Sequence, residues 1–238
     1  MKDTLGNKIR KILPVKSCGA VIVAAGSASR MGGIDKVMAP LNGEPMIART
    51  VRAFQDSPVI RQIVVVTRQD LVDTIAELCG QMDKVTAVVV GGSDRQASVE
   101  AGLSALSPKL RLTAIHDGAR PLISQEVIDR TVRAAHSYGA AAPAIPVKDT
   151  IKTVKGGIVK ETPDRSCLFA VQTPQVFDKD LLSGALQKVR KDEATITDDC
   201  SAVERMGMSV KIVEGDEGNL KVTTPMDLKV AQMLLEEM

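Results

Sequence analysis

The chain has 238 residues, with 31 Lys+Arg against 29 Asp+Glu and a formal net charge of +2. Five of the basic groups and a single acid, Asp3, fall in residues 1–16, so the rest of the chain is net −2, and counterion release from duplex nucleic acid is excluded as a main source of binding energy. Three Phe, one Tyr and no Trp are too few aromatics for a single-strand stacking platform, so no nucleic-acid partner is expected.

Residues 1–16 lack the apolar core of a secretory signal and read as a solvated tail. The longest apolar run, Ala20–Ala25, is far short of a membrane span, so no membrane partner is expected either. Cys18, Cys79, Cys167 and Cys200 stand far apart. With two His they argue against structural zinc and for reduced thiols in the cytoplasm. The length suits one large α/β domain or two small ones.

From residue 17 strands and helices alternate. Ala20–Ala24 is a continuous apolar run, the pattern of a strand buried on both faces. Gln62–Thr67, Val85–Val90, Leu112–His116 and Ala141–Pro146 read the same way. Helical stretches lie between them at Pro45–Phe54, Asp70–Cys79, Arg95–Leu106 and Gln125–Tyr138. The alternation predicts a doubly wound, mostly parallel sheet with helices on both faces. Ligands then sit beyond the carboxyl ends of the strands. The rhythm breaks at 148–163, where Ile151–Val154 and Ile158–Glu161 flank Gly156-Gly157 as the limbs of a hairpin. Neither limb can build a core, so the segment is either an exposed hairpin or an arm that packs on another subunit. Helices resume at Lys179–Lys191 and Asp198–Met206. Ser209–Val213 reads as a last strand and Pro225–Glu236 as a last helix, with Pro in its first turn.

The chain has no Gly-Lys dipeptide, no G-x-G and no G-x-S-x-G. It therefore carries no phosphate loop of the G-x-x-x-x-G-K-[ST] type, no dinucleotide fingerprint and no nucleophile elbow. A ligand must be held some other way. The first strand runs into Ala24-Ala25-Gly26 and on to Lys36, a loop of small residues whose N–H groups can surround phosphate oxygens. Arg30 and Lys36 are its cations, a planar fork and a mobile point charge that together suit a polyphosphate. A flexible loop with two solvated cations is the competing reading. Gly91–Ser98 is a second glycine turn. Ser93 or Asp94 can cap the following helix, and Gly92 and Ser98 can line a base pocket. The fourth strand ends His116-Asp-Gly-Ala-Arg-Pro121. Asp117 there is placed for magnesium or ribose; the alternative is an Asp117–Arg120 surface pair of under ~1 kcal/mol. His116 reads as a packed strand residue rather than a catalyst.

Ala24–Lys36, Gly91–Ser98 and His116–Pro121 resemble the nucleotidyltransferases that couple a nucleoside triphosphate to a phosphorylated alcohol. Pro146–Thr150, Asp164-Arg165 with Ala170–Gln175, Ala194–Asp199 with Ser201–Glu204, and Val213–Gly215 through Asn219–Thr223 narrow the resemblance to the 2-C-methyl-D-erythritol 4-phosphate cytidylyltransferases. The likeness runs from about Cys18 to Leu235. It implies a Rossmann-like nucleotidyltransferase domain over 17–238, with the β-arm at 148–163 joining two copies as a homodimer. It also implies cytidylyl transfer from CTP to the sugar-alcohol phosphate, with Mg²⁺, in isoprenoid precursor synthesis. Carried over residue by residue, Ala24, Ala25, Gly26, Gly92, Ser98 and Asp117 would contact CTP, with Asp117 also by the metal. Arg30 and Lys36 would stabilise the transition state. Arg165 and Lys221 would act with Arg120, Thr150, Thr173 and Thr197 on the sugar phosphate.

The loop departs from the family's common form. Ala28 replaces a glycine, Asp35-Lys36-Val37 stands where Pro-Lys-Gln is frequent, and Arg30 and Lys36 are one position closer than in many members. This short form also resembles molybdenum-cofactor nucleotidyltransferases, while the later motifs side with cytidine. Two rival functions are a cytidylyltransferase for another polyol phosphate, such as ribitol 5-phosphate, and a non-catalytic nucleotide-binding regulatory domain.

Overall fold

The structure is a computed structural model and describes residues 17–26 and 35–237. The tail at 1–16 and Arg30 lie outside the described residues. At the centre is an eight-stranded sheet. Four parallel pairings build it: β1 (Cys18–Val23) lies between β4 (Ile60–Thr67) and β6 (Leu112–Asp117), β4 also pairs with β5 (Val85–Val90), and β7 (Ala140–Pro146) pairs with β12 (Lys211–Glu214). Two short strands run antiparallel. β10 (Phe169–Val171) pairs with β7, and β11 (Gln175–Asp178) pairs with both β6 and β7.

The apolar runs are explained by two cores. Ala20 and Ile22 of β1, with Ile63 and Val65 of β4, face α1 (Met46–Gln55), α2 (Val72–Leu78) and α4 (Gln125–Tyr138). Val21, Val64 and Val66, one residue out of phase, face α3 (Arg95–Ala105), α5 (Lys179–Lys191) and α6 (Asp199–Glu204). Successive strand side chains point to opposite faces, so a strand covered on both sides must be apolar throughout. Gly102 of α3 admits this packing: a Cβ there would stand 2.3 Å from Val21 Cγ1.

A third, smaller core ties the last helix, α7 (Pro225–Glu236), to the site end of the sheet through Leu41, Met46, Ala119, Val222 and Ala231. Pro40–Leu41 (β2) and Glu44–Pro45 (β3) form a small hairpin beside it. Asn42 and Gly43 turn that hairpin with φ of 47° and 79°, an Asn-Gly signal that the sequence displays. The segment at 148–163 does form a hairpin, β8 (Thr153–Lys155) with β9 (Ile158–Glu161), and Gly156 and Gly157 turn it at φ 59° and 76°. Every residue of both limbs is exposed.

Candidate active site

The site begins where parallel strands end together. Ala24 N donates to Val66 O at 2.7 Å, Gly118 N to Val23 O at 2.8 Å and Gly91 N to Thr67 O at 2.8 Å. Beyond these ends lies a cavity of about 450 Å³, lined by the predicted Ala24, Ala25, Gly26, Lys36, Gly92, Ser98, Asp117 and Lys221. The two small-residue loops touch. A Cβ on Gly91 would stand 2.5 Å from Ala25 Cβ, and one on Gly92 2.3 Å from Ala97 Cβ. Glycine at 91 therefore lets the two loops meet at the cavity wall, and glycine at 92 lets its turn fold tightly onto the first turn of α3.

Ser98 is buried, and its hydroxyl works inside the turn: Oγ donates to Asp94 O at 2.9 Å and accepts from Gly92 N at 3.2 Å. Its one hydrogen is committed, so Ser98 shapes the turn that presents Gly92. Asp94 is the helix cap, its carboxylate accepting from Ala97 N at 2.7 Å.

Lys36 opens a single helical turn, Lys36–Met38, capped by Asp35 Oδ1, which accepts from Val37 N at 3.2 Å. Asp35 also pairs with Arg68, and Val37 is buried in the first core. The departure from the family's usual Pro thus has a local use: an acid that fixes the turn bearing the cation.

Asp117 ends β6 at the centre of a charged cluster. Lys221 Nζ lies 2.7 Å from Asp117 Oδ2, Arg120 Nε 3.8 Å from the same atom, and Arg95 Nε 4.0 Å from Oδ1. Burial pushes the Asp117 carboxyl up, but Lys221, Arg95 and Arg120 outweigh it and hold the group below the ordinary carboxylate range. Lys221 is delivered by its neighbour: Val222 is fully buried, and its N donates to Ala119 O at 2.9 Å. Arg120 gives NH1 to Asn219 O at 2.6 Å. The predicted Asp117–Arg120 pair therefore exists, but as part of a half-buried network rather than as an isolated surface pair.

His116 is the packed residue the sequence suggests. Burial pulls its imidazole down to about 4. Nε2 faces Arg120 O at 3.2 Å and Nδ1 faces Thr173 Oγ1 at 3.0 Å. A carbonyl only accepts, so Nε2 carries the proton and the Thr173 hydroxyl donates to Nδ1. Thr173 Oγ1 also accepts from Asp117 N at 3.1 Å. Thr173, expected on the sugar phosphate, is thus only 4% exposed and braces the strand end.

Thr150, Arg165 and Thr197 are exposed and are not among the described residues lining the cavity. Arg165 starts a short turn at the foot of the arm and donates to Lys148 O at 2.6 Å. Thr197 immediately precedes Asp198, which caps α6 by accepting from Ser201 N at 2.9 Å. Two residues escaped the sequence reading. Arg95 lines the cavity, and its NH2 lies 2.7 Å from Oδ2 of the fully buried Asp199. Burial pushes the Asp199 carboxyl up, with Arg95 pulling against it. The available signal was Asp198-Asp199, two acids where a cap needs one.

Among the described residues no group of three or more His, Cys, Asp or Glu forms a metal cage. Magnesium needs none: it commonly takes one or two carboxylates and completes its shell with substrate phosphates and water. With Asp94 committed to its helix cap, Asp117 is the cavity carboxylate suited to that role, and its Oδ1 meets Arg95 only beyond hydrogen-bonding distance.

A doubly wound sheet whose strand ends present a glycine turn, cations and a carboxylate, with its histidine buried, has the layout of an α/β nucleotidyltransferase. The sequence model of the IspD family, 2-C-methyl-D-erythritol 4-phosphate cytidylyltransferase, matches residues 18–237. A protein of that name from Symbiobacterium thermophilum is 47% identical over 219 residues, 91% of this chain and 92% of the relative. Another, from Caldanaerobacter subterraneus, is 43% identical over 92% of this chain and 98% of the relative. The crystal structure of 4-diphosphocytidyl-2C-methyl-D-erythritol synthase from Anaerococcus prevotii superposes with a TM-score of 0.84 at 33% identity, covering 93% of this chain and 96% of that one. The chain belongs to the 2-C-methyl-D-erythritol 4-phosphate cytidylyltransferase family. Its activity is CTP-dependent cytidylyl transfer to that sugar phosphate in isoprenoid biosynthesis, and the polyol-phosphate and regulatory alternatives are not favoured.

Proposed function

We propose that the cavity beyond β1, β5 and β6 is where this transfer occurs. A phosphate oxygen of the substrate attacks the α-phosphorus of CTP, a new P–O bond forms, and the bond to pyrophosphate breaks. The observation that carries the reading is the set of cations around Asp117 in that cavity. A phosphate nucleophile is ionised near neutral pH and needs no base, which suits a site whose histidine has both ring nitrogens engaged. The obstacle is the approach of two anions, so catalysis rests on positioning and charge stabilisation. Ala24–Gly26 and Gly92 would hold the nucleotide by backbone contact, Lys36 and Arg30 the triphosphate, and Lys221 the incoming phosphate. Mg²⁺, held by Asp117 and the triphosphate, would neutralise phosphate charge. Pyrophosphate release from CTP, 2-C-methyl-D-erythritol 4-phosphate and Mg²⁺ tests this reading. Equal turnover with ribitol 5-phosphate or with GTP would overturn the substrate assignment.

Residues 17–238 act as one nucleotidyltransferase domain in this reading, and the protein works in the cytoplasm. Its buried thiols and exposed Cys167, all unpaired, suit a reducing compartment. The arm makes a homodimer and brings Arg165 and Thr150 to the partner's sugar-phosphate subsite. Val154 and Ile158, 57% and 65% exposed, supply apolar surface for that contact. Mixing inactive Arg165→Ala with inactive Lys36→Ala chains tests it. If Arg165 acts across the interface, each heterodimer has one intact site and activity returns. If the subunits exchange and the mixture stays inactive, Arg165 does not act in trans.

A further inference from the structure

Asp199 is a buried carboxylate with little polar company. It is 0% exposed, its neighbours Cys200, Ala202 and Val203 belong to the second core, and its Oδ1 has no hydrogen-bond partner. A half-satisfied buried acid is costly, and helix formation does not require this one. Asp198 caps α6, while Gln175 Oε1 accepts from both Asp199 N and Cys200 N at 3.1 Å. Gln175 Nε2 also holds Asp198 Oδ2 at 2.7 Å, so the turn is fixed without the Asp199 side chain. What that side chain does is hold Arg95 NH2 at 2.7 Å.

Arg95 is equally unnecessary to its own helix, which Asp94 caps. Its guanidinium lines the cavity with Nε 4.0 Å from Asp117 Oδ1, too long for a hydrogen bond. A guanidinium offers five N–H donors in a rigid fork. Anchoring one edge on Asp199 aims the remaining donors at whatever fills the space beside Asp117.

We propose that Arg95 is a further ligand-contacting cation of the cavity and that Asp199, which does not reach the cavity, is its positioning residue. The proposal rests on reading the cavity as the CTP site. A cation aimed at that space meets the anionic part of the nucleotide, so the pair serves CTP binding and the transferring phosphate.

The test is a double-mutant cycle on the full chain, with kcat/KM for CTP, the Kd for CTP by calorimetry and thermal melting measured together. Asp199→Asn is expected to lower kcat/KM for CTP about tenfold, within the usual range for coupled neighbours. In an Arg95→Ala background the same change should have almost no further effect. Because a lone buried acid can unfold a protein, Arg95→Met with Asp199→Leu serves as the second variant. It should melt like wild type, with kcat/KM for CTP as low as in Arg95→Ala. Wild-type kcat/KM in Asp199→Asn overturns the proposal, as does a loss that persists undiminished without Arg95. An active wild type alongside such variants leaves the CTP reading standing, whereas a wild type that fails to turn over or bind CTP overturns both.

Discussion

The cavity end of the sheet and the arm are built on opposite terms. Around the cavity, the central strands are apolar on both faces, Gly91 lets two loops touch, and Asp117 draws Arg95 and Lys221 from other elements. In the arm, the residues of the hairpin have mainly each other for company: the limbs pair Val154 with Val159 and Lys155 with Ile158, yet all remain exposed. A two-stranded hairpin alone is marginal in water. The contrast teaches that one chain can wall a polar cavity with its own core. Thr150 and Arg165, at the arm, are left exposed by the same chain.

Lys36→Ala should break the cavity half with the largest effect. Losing one transition-state charge contact lowers kcat/KM by roughly 10²–10³, while melting changes little because Lys36 is not in the core. Turnover assays with a parallel melt check both. His116 sharpens the contrast through pH. Its neutral form is favoured in the fold, at about 4 against 6.5 unfolded, so the unfolded chain takes the proton first as pH falls. Stability is therefore lost between about pH 6.5 and 4, by about 3 kcal/mol from this group. Urea midpoints across that window should fall more steeply for wild type than for His116→Gln.

Gly92→Ala would force a Cβ to 2.3 Å from Ala97 Cβ. Overpacking of this kind costs about 1–3 kcal/mol, and it displaces a cavity wall, so Tm and CTP affinity should drop together. The smallest effect on folding should come from the arm. Deleting Thr153–Lys160 should leave Tm within a few degrees of wild type, by the order of magnitude for a change under ~1 kcal/mol. Sedimentation should then report a monomer that binds CTP but binds the sugar phosphate poorly.

The cavity half was also the more legible in sequence. Gln125–Tyr138, Lys179–Lys191 and Pro225–Glu236 form with the predicted bounds, because long periodic segments reflect burial directly. Val85–Val90 also forms with its predicted bounds, but as an edge strand it is only partly buried rather than covered on both faces. β10 and β11 were not read as strands. They have three and four residues, and their antiparallel pairing depends on where β6 and β7 bring their edges, a tertiary property. Among site residues, Lys36, Gly92, Asp117 and Lys221 were legible from small-residue loops and strand ends. Arg95 was not, because the first residue of a capped helix reads as solvent-facing. Ser98 and Thr173 were read as ligand hydroxyls, but their hydrogen bonds close on the protein. For Ser98 the partners are local, Asp94 and Gly92, whereas for Thr173 the partner is His116, distant in sequence.

The charged cluster has a formal sum. Asp117 and Asp199 oppose Arg95, Arg120 and Lys221, leaving one net positive charge, and the basic member nearest the end of the chain is Lys221. During synthesis, β6 and α3 emerge long before the segment that carries Val222 onto Ala119. Without Lys221, the formal charges of Arg95, Arg120, Asp117 and Asp199 sum to zero. Lys221 therefore gives this cluster its net attraction for a polyanion, and it meets Asp117 only where the closing segment is laid against Ala119.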